Sequence, residues 1–120
     1  MKTRISIEGI ECHAYHGCLE EESKIGGRYQ VDVHVDKDVS LSVRNDTLTD
    51  TVDYVIVNEV VRKEMAIRSK LIEHVGGRIL KSLSEAIPGE KSIEVIIIKF
   101  NPPVRGNVIQ TSITLKEDYR

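Results

Sequence analysis

Aromatic residues are scarce in this chain. Its 120 residues include no Trp, one Phe and four Tyr, so Val, Ile and Leu must fill the interior, and the resulting core is expected to be adequate but thin. A chain of this length with no stretch that reads as a linker is expected to form a single domain over residues 1–120, burying about two-thirds of its unfolded surface. A partner subunit would add to that burial. Charge excess is missing too: 17 basic residues face 19 acidic ones, net −2 and well mixed, which excludes a basic stripe for nucleic acid or an anionic membrane. No stretch approaches the roughly 18 apolar residues of a membrane span, and MKTRISIEGIE lacks the apolar core of about seven residues that a secretory leader needs. These absences predict a cytoplasmic protein with neither nucleic acid nor membrane as partner. Two cysteines, Cys12 and Cys18, have no second pair to complete a metal site or a disulfide framework, so both are expected to be reduced.

What is present is periodicity. Ile5 and Ile7 alternate, then Ile10, Cys12 and Ala14 alternate on the other parity, so a strand from Thr3 to about Tyr15 with a bulge at Gly9 is expected. From Arg28 to Val39, Tyr29, Val31, Val33 and Val35 share one face and Gln30, Asp32, His34 and Asp36 the other, the mark of a half-buried strand. HGCLEEESKIGG between them reads as a long loop, and SLSVRNDTLTDT as a surface connection. Val57, Val60, Val61, Glu64 and Met65 predict a helix over about 55–67. Ser69 could cap a second helix, whose stripe of Leu71, Ile72, Val75, Ile79, Leu80, Leu83 and Ile87 ends at Pro88-Gly89. Gly76 and Gly77 inside it cost about 1 kcal/mol each relative to alanine, and close packing against another backbone is the expected compensation. Strands over Ser92 to Phe100 and about Asn107 to Lys116, the second with Ile109, Thr111, Ile113 and Leu115 on one face, complete the order ββααββ. This is an α+β layout with helices covering one face of an antiparallel sheet.

IIIKFNPPVRG breaks the pattern. Ile93, Val95, Ile97 and Lys99 share one face, so Lys99 continues an apolar row directly before Asn101-Pro102-Pro103, where prolines forbid an extended central strand. Either Lys99 lies along the core edge and snorkels its ammonium to water, or it is a partly desolvated amine used in proton transfer, which burial would make easier to deprotonate. Glu20, Glu21 and Glu22 offer a carboxylate partner, or a solvated loop face. Tyr54, at the entrance of the first helix, is a candidate acid or a buried hydrophobe with its hydroxyl satisfied. Glu73 falls in the first turn of the second helix, where the helix dipole favours a carboxylate by about 0.3–1 kcal/mol in any case. His13 and His16 in HAYHG would point to opposite faces of a strand, and His34 and His74 are not obviously near them, so a metal site is not expected. His16-Gly17 reads as turn chemistry.

AYHGCLEEE, IGGRYQVDV, DTVDY, LIEHVGGRI and KFNPPVRG occur in an order and spacing that resemble the dihydroneopterin aldolase family over essentially the whole chain. The resemblance implies the tunnelling fold: a four-stranded antiparallel sheet with two helices on one face, assembled into tetrameric rings that stack into octamers. It also implies catalytic roles for Glu22, Tyr54 and Lys99 and a pterin-anchoring role for Glu73. Substrate contacts are implied for Val52, Asp53 and the Ile72 backbone, with the DTVDY segment supplied by a neighbouring subunit.

The implied chemistry suits these residue types. The 2-amino-4-oxopyrimidine of a pterin presents adjacent N–H donors that one carboxylate accepts in a fork. Retro-aldol cleavage of 7,8-dihydroneopterin sends electrons into the C=N at N5, so no metal, Schiff base or other cofactor is required. The products would be 6-hydroxymethyl-7,8-dihydropterin and glycolaldehyde, with 2′-epimerisation as a side reaction. NPPVRG departs from the NPPIPG frequent in relatives, and Phe100 and the Gly76-Gly77 pair are also unusual. Arg105 is either a surface arginine on a loop or a phosphate contact, which keeps a dihydroneopterin triphosphate 2′-epimerase as the alternative. A non-catalytic pterin-binding ring would need Glu73 but not Glu22, Tyr54 and Lys99 together. A zinc-dependent pyruvoyl-tetrahydropterin synthase of the same fold would hold a metal.

Overall fold

The computed structural model describes residues 1–119. Four strands, β1 (Arg4–Ala14), β2 (Gly27–Lys37), β3 (Glu90–Phe100) and β4 (Gln110–Asp118), form one antiparallel sheet in the order β1-β2-β3-β4. The two main helices, α3 (Tyr54–Met65) and α4 (Ile72–Ala86), are inserted between β2 and β3 and cover one face. Both connections expected to be loops also carry short helices, α1 (Glu20–Ile25) and α2 (Ser40–Asn45), and a 3₁₀ turn spans Leu48–Asp50. Runs this short carry too few turns to show a period. In α1 the signal is local: Leu19 N–H donates to Glu22 Oε1 at 3.2 Å, and Glu20 pairs with Lys24 one turn on.

Alternation set the layers. Tyr29, Val31, Val33 and Val35 of β2 and Ile93, Val95 and Ile97 of β3 are all buried, facing Val57, Val61 and Met65 of α3 and Val75, Ile79 and Leu83 of α4. Each such aliphatic contributes about 1.5–3 kcal/mol by leaving water. The opposite face is mixed: Ile96, Ile98 and Phe100 of β3 are half-buried on it, while elsewhere it is polar, with Arg4 and Ser92 on Asp36 and Ser6 on His34. The bulge falls where expected: register shifts between Ile7 and Ile10, and Gly9, at φ +74, donates its N–H to Asp32.

Asp53 opens α3 as its N-cap by accepting from Val55 N–H at 2.9 Å. Two expectations for α4 are corrected. Ser69 does not cap α4. Leu71 holds that position, while the buried Ser69 hydroxyl bonds His74 Nδ1 and Arg78. The Gly76-Gly77 pair divides. A Cβ on Gly76 would lie 2.7 Å from Leu115 Cδ1 and 3.2 Å from Ile113 Cδ1, so α4 sits close on the sheet there, against side chains and not another backbone. Around Gly77 the space is open. The last strand also begins later than expected, leaving Ile109 exposed and only Ile113 and Leu115 packed under α4.

Candidate active site

Antiparallel register sets Lys99 of β3 opposite Tyr29 of β2, at the end of the inward row. The chain leaving β1 crosses beneath them through Tyr15, His16 and Gly17. The His16 carbonyl accepts Lys99 Nζ at 3.1 Å and Tyr29 Oη at 2.8 Å. The second partner of Lys99 is the carboxylate of Glu22, in α1. Both side chains are only 13% exposed, so this charge-assisted pair is poorly screened by water. Gly17 makes the approach possible, because at φ +140 its missing Cβ leaves the space into which the Glu22 carboxylate packs.

The electrostatics correct one expectation. Burial alone would lower the proton affinity of Lys99, but Glu22, with Tyr29 behind it, outweighs that effect and holds the lysine pKa above its ordinary value. Lys99 is an ammonium in the free protein, and the snorkelling alternative fails with it, since the head group turns inward to Glu22. Burial raises the Tyr29 phenol. Burial, with the cations Arg78, Lys99 and Arg68 around it, pushes His16 down to about 4.

A cleft of about 590 Å³ is lined by Glu22 and Lys99 together with Ile72, Glu73, Pro102 and Pro103. Glu73 stands in the first turn of α4 and is exposed. The structure thus brings together Glu22, Ile72, Glu73 and Lys99. It does not bring Val52, Asp53 and Tyr54 to them. Val52 and Asp53 line a separate cleft with Ile87 and Pro88, and the adjoining Thr51 carbonyl accepts the inward-facing Lys37 at the far end of β2. The eight residue steps from Tyr29 to Lys37 put the two groups roughly 26 Å apart along the strand. Tyr54 is 69% exposed, not a buried hydrophobe. Arg105 lies exposed on the turn after the two prolines.

His13 turns outward to the Ile25 carbonyl while His16 is buried, and no three His, Cys, Asp or Glu side chains among the described residues gather as metal ligands. Sequence reasoning missed His16 and Tyr29 as members of the site. A signal for Tyr29 existed: it ends one inward row and Lys99 the next, and antiparallel pairing sets such ends side by side. For His16 there was none, because its contribution is a main-chain carbonyl.

Comparison with known proteins came to the same place. The family model described as FolB, dihydroneopterin aldolase, matches residues 5–116. Dihydroneopterin aldolase of Streptococcus pyogenes serotype M3 is 35% identical over 114 residues, 94% of this chain and 96% of the relative, and that of serotype M18 is 34% identical over the same length. Among solved structures, Escherichia coli dihydroneopterin aldolase in complex with neopterin superposes with a TM-score of 0.86 at 16% identity, covering 96% of this chain and 98% of that one. Dihydroneopterin aldolase from Burkholderia thailendensis bound to guanine gives 0.76 at 18%, covering 99% and 93%. At such identities the superpositions speak for the fold, which is the expected one.

Proposed function

The chain belongs to the dihydroneopterin aldolase family, lyases of folate biosynthesis, and from that premise we propose how its residues divide the work of cleaving 7,8-dihydroneopterin. The observation that carries the proposal is the Lys99–Glu22 pair lying in one cleft with Ile72 and Glu73. Glu73 accepts the adjacent N–H donors of the pterin ring, and backbone groups of Ile72 take further ring contacts. Neopterin and guanine, the molecules bound in two relatives, both carry the 2-amino-4-oxopyrimidine that such a carboxylate recognises.

In the reaction the 2′-hydroxyl gives its proton, through a water, to the Lys99–Glu22 pair. The C1′–C2′ bond breaks, glycolaldehyde leaves, and the bonding electrons enter the C=N at N5, which receives a proton from the Lys99 ammonium. The pair therefore accepts one proton and donates one. Tyr54 then protonates C1′ and is reprotonated as N5 releases its own proton, leaving 6-hydroxymethyl-7,8-dihydropterin. Because Tyr54, Val52 and Asp53 stand at the other end of the sheet, a second subunit supplies them, in a homo-oligomeric ring stacked to an octamer in the cytoplasm. No helix of the described residues is long and apolar enough to cross a membrane.

The test is glycolaldehyde release from 7,8-dihydroneopterin in excess chelator, with the triphosphate run alongside. Wild-type protein is expected to release it, and Lys99→Ala to lose at least about 100-fold in kcat, the lower range for a positioned acid or base. Full turnover by Lys99→Ala would sink the assignment. Inertness toward the free alcohol, with isomer formation from the triphosphate, would move the activity to the epimerase.

A further inference from the structure

The His16-Gly17 turn makes more contacts than a surface reversal needs. Its ring is fully buried, packed edge-on against Tyr29 at 5.4 Å between centroids, and Nδ1 accepts the Ser69 N–H at 3.0 Å. That bond requires an unprotonated Nδ1, so the ring is the neutral Nε2–H tautomer. Nε2 makes no bond of ordinary geometry among the described residues, although the Met65 main chain interacts with the ring and partly offsets the lowering of its proton affinity; the well-formed bond is the one at Nδ1. The segment that supplies the Ser69 amide also holds the turn from both sides. Gly17 N–H donates to the Ser69 carbonyl at 3.1 Å, and Arg68 donates to the carbonyls of Tyr15 and Gly17 at 3.0 and 2.6 Å.

Two acceptors of the Lys99 ammonium hang on this turn. One is the His16 carbonyl itself, and the other is the Glu22 carboxylate, packed where Gly17 has no Cβ. We propose that His16 is a positioning residue for Lys99: its ring, pinned by the Ser69 amide, fixes its own carbonyl and the adjoining glycine, and so fixes where the ammonium sits relative to the substrate. The role rests on the reading of Lys99 as the proton-transfer group. His16 does not touch the reacting atoms, and its effect falls on kcat through Lys99. Ring binding at Ile72 and Glu73 does not depend on it.

Two substitutions separate packing from hydrogen bonding. His16→Leu fills most of the ring's volume but gives Ser69 no acceptor, whereas His16→Asn is smaller and offers Oδ1 where Nδ1 stood. His16→Leu is expected to lower kcat by about 100-fold, the loss that a displacement near 1 Å brings to a reacting group, with the Kd for 6-hydroxymethylpterin unchanged. His16→Asn is expected to recover most of that loss. Wild-type kcat in His16→Leu, or kcat and pterin affinity falling together, overturns the proposal. If His16→Leu does not fold, His16→Asn decides alone: near-normal turnover supports the role, and loss as deep as in Lys99→Ala overturns it. A readout independent of cleavage is the Lys99 ¹⁵Nζ resonance. It should titrate at lower pH in His16→Leu than in wild type and return toward wild type in His16→Asn. Should wild type fail to release glycolaldehyde while this shift is present, the assigned reaction is at fault and the positioning role stands; an unmoved resonance overturns the role whatever the reaction.

Discussion

At the scale of single residues, the candidate site buries groups whose protonation is then set by their neighbours. His16 is held neutral, at about 4 against an ordinary 6.5, so the unfolded chain binds a proton that the native state refuses. Between those values stability rises with pH. It is fully present above about 6.5 and is lost as pH falls toward 4, a loss on the order of 3 kcal/mol at most. Urea midpoints measured from pH 7.5 down to 4.5 should therefore fall steadily in wild type, and fall less in His16→Asn, which has nothing there to protonate. Lys99 carries the opposite sign, since Glu22 raises it. Its contribution is complete at neutral pH and is lost only on the alkaline side.

At the scale of elements, α4 carries the clearest contrast between sequence and structure. Two adjacent glycines read alike in a helix, each costing about 1 kcal/mol against alanine. In the fold they differ because Gly76 faces β4 and Gly77 faces open space. Gly77→Ala should raise stability by about 0.5–1 kcal/mol through helix propensity and reduced unfolded-state entropy. Gly76→Ala gains the same helix propensity, but a methyl group must enter a packed layer at a cost of about 1–3 kcal/mol, so it should lower stability by up to about 2 kcal/mol net. Thermal unfolding of the two variants side by side checks both signs. Strand elements were legible throughout, because a period of two survives over the nine to eleven residues of each strand. The short helices α1 and α2 were not, having six residues apiece.

At the scale of the whole molecule, the chain divides its candidate site. Lys99 and Glu22 stand at one end of the sheet, Val52 and Asp53 at the other, and large apolar side chains beside the latter, Leu48, Tyr54, Val55 and Ile56, lie open. The proposed ring joins these ends between neighbours. Mixing tests it directly: Lys99→Ala and Tyr54→Ala are each expected to be nearly inactive, but refolded together in equal amounts they should regain about a quarter of wild-type activity. A randomly assembled shared site draws an intact Lys99 half the time and an intact Tyr54 half the time, and general acid–base catalysis needs both. No recovery on mixing would place both residues in one chain's site.

The sequence by itself determined which residues turn inward, because alternation along a strand and recurrence along a helix are written in neighbouring positions. It thereby marked Lys99 as a charge ending an apolar row, and Glu73 as a carboxylate at a helix start. Tertiary structure decided what that charge is. Glu22 lies 77 residues away in the chain and His16 lies 83 away, and only the β2–β3 register, the clamped turn and the bare Gly17 bring them to Lys99. From the sequence, burial argued for an easily deprotonated amine. In the fold a carboxylate within contact outweighs burial, because Coulomb attraction depends on a distance that no local pattern encodes.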